Sequence, residues 1–445
     1  MRLGDAALRR RAGSVRVTTT HIAGAGLAGL ACALRLAEAG RRVVVYEAAP
    51  QAGGRCRSFH DATLDRVIDN GSHLVLSGNR ALLGLLERVG ARDRLTEVRP
   101  AAFPFHDLCN GRTWTLRPGG LWLFDEARRV PGSRARDYLA ALALLGAGGT
   151  ATVADVLPPD GPLHERLWAP LVVSGLNMPY ERASARLFAA ILRETLLRGE
   201  SACRPQIAPE GLSHAFIEPV VARLRALGAT LHLNARVEAV DPAGFRAAGA
   251  RVDLGAGEPL VLALPAWGVE KLLPEVAPPP PGPTIVNAHF RLDRPVTLPG
   301  GLPFLALVGG TAEWLFARGD VLSVTVSAAD ALAESPAEEI AARLWAEAAR
   351  ALGIAAALPP YRVVKERRAT VDQSPAHAAG RPPARTAHPA LFLAGDWTDT
   401  GLPATLEGAV RSGERAAAAV LHARITPFAR LGRIPAFTLR RSGHI

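Results

Sequence analysis

At 445 residues, 49% of them hydrophobic, the chain is long enough for two joined domains with sizeable cores and has the apolar content of a globular protein. No segment is long and clean enough to read as a membrane span. The formal net charge of +11 rests on arginine, Lys271 and Lys365 being the only lysines; aromatic residues are not interleaved with the basic runs, so the charge reads as compositional bias and no nucleic-acid partner is expected. Cys32, Cys56, Cys109 and Cys203 show neither C-x-x-C nor metal-ligand spacing, so they read as buried thiols of a reducing compartment, and no metal is expected.

Residues 1–14 form a basic arm without the apolar stretch of a secretory signal. A β-branched run, Val15–Ala23, then leads into Gly24, Gly26 and Gly29. A helix-forming segment follows, then Gly40 at a helix C-terminal position, a second strand at Val43–Tyr46, and the acid Glu47. Gly24 lets the chain turn sharply off the strand, and Gly26 lets backbone N–H groups approach a pyrophosphate. Gly29 allows the helix to pack close to the sheet. The helix N-terminus, at Leu27 and Ala28, offers its dipole and free amides to the anion. Glu47, 18 residues after Gly29, is placed to accept hydrogen bonds from an adenosine ribose. Strand, glycines, helix, strand and acid in this order point to a bound dinucleotide.

The short loop Gly53–Gly54–Arg55 narrows the cofactor. It resembles the G-G-R loop of two-domain flavoproteins of the amine oxidase and phytoene desaturase type, which implies FAD with Arg55 neutralising pyrophosphate charge. Beyond it, Leu82–Val89 reads as a short amphipathic helix, Trp114–Phe124 as an interrupted strand, and Tyr138–Val153 as helical, preceded by Arg128, Arg129, Arg134 and Arg136. Val220–Leu227 reads as a helix, and Leu231–Val240 and Arg251–Leu264 as strands; Val237, in the first of these, joins the candidate cofactor residues. A proline-rich linker, Pro274–Pro283, precedes a strand-rich block at Thr284–Val308 and Val321–Ser327. Pro336–Gly353 reads as a strong helix and Tyr361–Glu366 as a strand.

The last strand, at Ala390–Ala394, ends in Gly395, Asp396 and Trp397, and a helix begins near Thr405. This second strand–loop–helix start offers Asp396 to a ribitol hydroxyl. The amides around Thr405, Leu406 and Glu407 suit a phosphate or the flavin edge. Thr405 and Glu407 also have the chemistry of simple helix caps.

The fold class expected is α/β, a Rossmann-like FAD-binding domain assembled from discontinuous segments plus a mixed α+β substrate-binding domain. The FAD-binding domain would comprise 15–80, 205–265 and 385–424, the substrate domain 81–204 and 266–384, and the basic tails 1–14 and 425–445. With the blocks IDNGSH (Ile68–His73), TIVNAHFRLD (Thr284–Asp293), KERRAT (Lys365–Thr370) and AGDWTDTGLPATLEGAVRSG (Ala394–Gly413), the chain resembles the squalene-associated FAD-dependent desaturases from Val17 to about Leu421. It departs from the family pattern at Ser72, where Gln is usual, near Asn79, where an aromatic residue is usual, and at His21, where the first strand usually has an aliphatic residue.

The resemblance implies a long apolar pocket and reductive removal of the hydroxyl of hydroxysqualene, a long-chain isoprenoid, to give squalene for hopanoid synthesis. Loss of an allylic hydroxyl leaves a delocalised cation that a hydride from flavin N5 quenches. No second dinucleotide fingerprint is present, so an external electron donor for FAD is expected. Asp69, His73 and His289 are the candidate proton donors. Each also has a commoner structural role, as backbone cap, turn histidine and core histidine respectively. The alternatives are a phytoene-desaturase-like carotenoid desaturase, and a flavin amine oxidase or protoporphyrinogen oxidase. Against the amine oxidase stands the absence of Lys at Asn287–Ala288–His289. A non-catalytic flavin protein is disfavoured by two intact halves of an FAD site. The expected location is the cytoplasm, with peripheral contact at the inner membrane surface through the arginines before Tyr138 and the tail Ile425–Arg441.

Overall fold

The computed structural model describes residues 18–423 except 242 and 356; the basic tails, with the apolar and basic run Ile425–Arg441, lie outside the described residues. Strand β1 (Thr19–Ala23), helix α1 (Leu27–Glu38) and strand β2 (Arg42–Tyr46) open the chain. Both strands are almost wholly buried, as runs of Val, Ile and Ala in a sheet covered on both faces should be. They lie in a five-stranded parallel sheet of order Thr230–His232, β2, β1, Leu260–Leu262 and Leu391–Leu393. The strand order reverses beside β1, which opens a crevice at the carboxyl ends of the strands.

One face of this sheet is covered by α1 and the closing helix Leu406–Leu421. These two helices pack closely because Gly413 has no side chain; a Cβ there would collide with the Ala28 carbonyl oxygen. On the other face an antiparallel ribbon of three strands, beginning with Val237–Asp241, buries Phe245 and Ala247 against Val44, Leu260 and Leu262.

The second sheet has seven strands in the order Tyr361–Glu366, Ile285–Arg291, Val321–Val326, Trp314–Arg318, Phe304–Val308, Phe103–Asp107 and Thr113–Leu116. All its pairs are antiparallel except Phe304–Val308 with Phe103–Asp107. Ala288, Phe290, Leu315, Leu322 and Val324 turn to one face and pack on the amphipathic helix Ala337–Leu352. On the opposite face the register aligns Trp314, Thr325 and Asn287 in one row and Phe316, Ser323 and His289 in the next.

Several expectations need correction. Helix α2 (Arg80–Arg88) buries Leu82, Leu83, Leu85 and Leu86 in the same core as α1 and the closing helix, so the segment after residue 80 packs with the cofactor domain, not the substrate domain. Ala266–Leu272 likewise packs below the first sheet. Trp114–Phe124 is not one strand: it ends at Leu116, because Pro118 and the left-handed Gly119 and Gly120 cannot continue a ladder. Tyr138–Val153 is not one helix but a short turn, Ala135–Leu139, continued by a 3₁₀ stretch, Ala140–Gly146; the glycines at 146, 148 and 149 weaken any longer helix. Cys32, Cys56 and Cys203 are buried, but Cys109 is exposed on a turn where its thiol meets the Gly309 carbonyl.

Candidate flavin site and substrate cleft

At the carboxyl end of β1 the chain turns at Gly24, whose φ of +102° places it in the left-handed region. A Cβ on Gly29 would collide with the Gly24 carbonyl oxygen, so the helix start can approach the strand only with glycine there. Gly26 faces open space: a Cβ built on it meets nothing within 4 Å. The second glycine loop lies against it, Gly53 bridging Gly26 and donating its N–H to the Ala25 carbonyl at 2.8 Å. A Cβ built on Gly54, at φ +58°, would stand 3.4 Å from the Gly26 Cα. Gly26 is the N-cap of α1 without a side-chain cap bond, and no acid stands in the first turn. The first-turn amides, with Leu27 and Ala28, therefore meet a glycine-lined opening at the positive end of the helix, a cradle that fits a pyrophosphate.

Glu47 Oε2 accepts the Ala25 N–H and Oε1 the Ala49 N–H, each at 2.8 Å. These bonds fix the carboxylate while its half-buried position leaves lone pairs for a ribose diol. Val237, almost buried, stands beside it, since Ala235 donates to the Glu47 carbonyl at 2.7 Å.

Arg55 crosses from the second loop to the distant strand end, donating to Asp396 Oδ1 and to the Ala369 carbonyl, both at 2.6 Å. Its enclosure opposes its charge, but Asp396 and then Glu366 more than offset this and raise its pKa. Arg55 and Asp396 line one cavity with Pro265, Trp267, Thr370 and Trp397. Thr405 caps the closing helix, its Oγ1 accepting the Gly408 N–H at 3.1 Å. The amides of Leu406 and Glu407 belong to that helix's first turn and have no acceptor within it. The Glu407 side chain departs from the expectation of a cap on its own helix. It is 4% exposed and reaches to α2, where its two oxygens accept the N–H groups of Ala81 at 3.1 Å and Leu82 at 2.8 Å.

Of the three expected proton donors, none sits as a free acid. Asp69 accepts from Ser58 Oγ at 2.6 Å, from the Leu212 N–H at 3.0 Å and from Arg318 at 2.8 Å, so it ties the cofactor segment to the second sheet. His73 is exposed, with Nδ1 at 2.8 Å from the Gly71 carbonyl. Desolvation lowers its pKa, with the Gly71 carbonyl and Asp69 pulling the other way. His289 is buried with Nδ1 at 2.7 Å from Ser323 Oγ, and desolvation pushes its pKa down to about 4. At neutral pH both imidazoles are uncharged.

The structure also brings in residues that sequence reasoning missed. Asn287 joins Thr325 Oγ1, at 2.8 Å, to the Asn70 carbonyl, at 3.4 Å, and holds the 68–73 segment to the sheet. Arg381, 6% exposed, braces the 396–402 loop through the Leu402 carbonyl and Gln373. Glu313 directly precedes the strand Trp314–Arg318 and accepts the Ser327 N–H at 2.8 Å. These stand singly in their segments, and only the Asn287 block carried a sequence signal.

The profile of the family described as flavin containing amine oxidoreductase matches residues 27–421. A protein of Rhodopseudomonas palustris named hydroxysqualene dehydroxylase is 46% identical over 415 residues, covering 91% of this chain and 99% of its own. One of the same name from Zymomonas mobilis is 41% identical over 410 residues, covering 90% and 98%. Among solved structures, cyclohexylamine oxidase from Brevibacterium oxydans shares the fold, with a TM-score of 0.69 at 16% identity over 91% of this chain and 98% of that one. The glycine cradle, the fixed Glu47 carboxylate and the paired helix starts thus agree with full-length similarity, and the chain belongs to the flavin-containing amine oxidoreductase family as an FAD-dependent oxidoreductase of the hydroxysqualene dehydroxylase kind.

Proposed function

We propose that the protein reductively removes the hydroxyl of hydroxysqualene to give squalene, in the service of hopanoid synthesis. The observation that carries this reading is the apolar face of the second sheet, taken with what the relatives' names say of them. Half-buried aromatic side chains stand there in ring pairs: Trp314 with Phe316 and Phe304, Phe103 with Phe304, and Trp114 with Phe105. Such a wall suits a long hydrocarbon chain, and the strand beside it carries Asn287 and His289 but no lysine.

In this reading the amides of Leu27 and Ala28, with Arg55, hold the FAD pyrophosphate, Glu47 the adenosine ribose, Asp396 the ribitol, and the first turn at Thr405–Glu407 the flavin edge. The chemistry such a bound, reduced flavin would supply is hydride transfer to the allylic carbon that loses the hydroxyl. The chain's own part is to bury the hydrocarbon, exclude water and hold segment 68–73 over the cleft through Asn287. His73 and His289, being neutral, serve as hydrogen-bonding groups at the polar end of the cleft. An external donor reduces the flavin.

The protein draws its substrate from a bilayer. Among the described residues no helix is long and apolar enough to cross a membrane. However, Leu121, 77% exposed, and Phe124, 73% exposed, stand with exposed Leu139, Leu142 and Leu145 beside exposed Arg134 and Arg136. Apolar side chains ringed by arginine suit an anionic lipid surface. The double variant Leu121→Glu, Phe124→Glu should lose co-sedimentation with phosphatidylglycerol vesicles while keeping its FAD.

The deciding experiment is anaerobic incubation of the reduced holoenzyme with hydroxysqualene, with products read by mass. Squalene is expected. Turnover of phytoene or an amine with no squalene formed would sink this reading.

A further inference from the structure

The segment Gly395–Ala404 joins the edge strand of the first sheet to the closing helix, which Thr405 caps. Asp396 and Trp397, near its start, line the cavity shared with Arg55. Against this loop lies Arg381, 6% exposed. Its Nη1 donates to the Leu402 carbonyl at 2.8 Å and reaches the Asp396 carbonyl at 3.4 Å. Its Nη2 donates at 2.9 Å to Gln373 Oε1, which also accepts the Ala404 N–H at 2.8 Å. The guanidinium therefore bonds both ends of the loop, and Leu402 stands only three residues before the helix cap. Gln373, wholly buried, anchors the arrangement to the substrate side by donating to the carbonyl of Leu176, the last residue of a helix there.

What this cation lacks is an anion. Its bonds go to neutral oxygens, and its Nε is buried without a hydrogen-bond partner. Among the described residues it forms no ion pair. Asp396 is the acid that attracts it most, but Asp396 Oδ1 is held by Arg55 at 2.6 Å. Asp399 attracts it less and is exposed, and exposed Arg186 repels it. Burial pulls the Arg381 pKa down to about 10, which leaves the group charged at neutral pH. A buried charge is costly unless a counter-charge meets it. The first-turn amides of Leu406 and Glu407, at the positive end of the adjoining helix, likewise have no acceptor within that helix.

Resting on the placement of the flavin edge at Thr405–Glu407, we propose that Arg381 is the fixed positive charge that holds the negative charge the flavin gains on reduction. Uptake of two electrons and one proton leaves one negative charge on the pyrimidine side of the ring system, and charge near that side sets how readily a flavin is reduced. The closing helix offers about half a positive charge there, and Arg381 adds a whole one in an enclosed setting where screening is weak. The Leu402 carbonyl and Gln373 keep the guanidinium in place while the flavin's charge changes. Arg381 thus acts through the loop as a positioning residue: it favours the reduced cofactor, the form that the dehydroxylation consumes.

The test measures the reduction potential of FAD bound to wild type, R381Q and R381K, by anaerobic dithionite titration against a reference dye. Oxidised-FAD affinity is measured alongside by flavin fluorescence. FAD bound to wild type should have a potential above that of free FAD. Relative to oxidised FAD, R381Q should bind reduced FAD at least about tenfold more weakly than wild type does, a fall of about 30 mV or more for a two-electron couple. R381K, which keeps the charge, should fall by less. An R381Q enzyme with the wild-type potential overturns the proposal even where it binds FAD weakly, because a mere brace loosens both redox states alike. An R381K enzyme that falls as far as R381Q overturns it too. If R381Q binds no flavin, wild type decides, and a bound potential below that of free FAD overturns the proposal. A wild type that shows the expected potentials but makes no squalene overturns the dehydroxylase reading and leaves this role standing.

Discussion

Glu407 offers the sharpest separation of a structural from a cofactor role. It stands in the first turn of the closing helix, but its carboxylate reaches the start of α2 and accepts the N–H groups of Ala81 at 3.1 Å and Leu82 at 2.8 Å, with Arg411 at 3.1 Å behind it. Replacing it with alanine removes two charge-assisted hydrogen bonds of about 1.5–3 kcal/mol each and leaves two helix-start amides without an acceptor near buried Leu82. The loss of a negative charge at a helix N-terminus adds about 0.3–1 kcal/mol. Against this, a buried carboxylate no longer needs desolvating, and the terms are not additive. We expect E407A to lose about 3 kcal/mol of stability. Glutamine, which keeps one carbonyl acceptor, should lose less. The assay is equilibrium urea unfolding of the FAD-free chain followed by far-UV circular dichroism, with FAD affinity measured separately under native conditions. If E407A unfolds at the wild-type urea concentration but binds FAD tenfold or more weakly (about 1.4 kcal/mol), the carboxylate serves the cofactor and the capping argument fails.

Three further outcomes can be checked directly. G26V should fill the open cradle beside the first-turn amides and weaken FAD by more than about tenfold in a flavin-fluorescence titration, with the circular dichroism spectrum unchanged. D69A takes away the acceptor shared by Ser58, the Leu212 N–H and Arg318, which keeps only the Val67 carbonyl, so urea unfolding should show a loss of about 3 kcal/mol; an unchanged midpoint would contradict the bridging role. The folded chain holds the Glu313 proton up to about pH 7, whereas the unfolded chain releases it near 4.5. Stability from this group is therefore full below about pH 4.5 and declines as pH rises to 7, so E313Q should gain on wild type from near zero at pH 4.5 to about 3 kcal/mol at pH 8 in urea titrations.

The parts legible in the chain were those whose physics is local. Gly24, Gly26 and Gly29 sit within one strand–turn–helix unit, where each missing side chain answers to a neighbour a few residues away, and Glu47 follows one helix later. The closing helix was readable for the same reason, with Thr405 three residues before the amide it accepts. The helix expected over Tyr138–Val153 was misread because apolar content without regular spacing does not say where a helix stops, and glycines decide it. The domain limit near residue 80 was misread because α2 finds its partners in α1 and in a helix more than three hundred residues away.

Local backbone chemistry thus showed in the sequence that this chain is built to hold a dinucleotide, since a phosphate cradle needs only glycines and a helix start in sequence order. FAD in particular followed from the resemblance of the Gly53–Gly54–Arg55 loop. Tertiary structure alone decided which acids are free. Asp69, Glu407 and Glu313 are the same kind of carboxyl group on paper. Packing gives the first an arginine and the second two helix amides, and leaves the third half-buried with no ion-pair partner among the described residues. Burial and partners, not residue type, set what each of them can do, and both are properties of distant segments brought together.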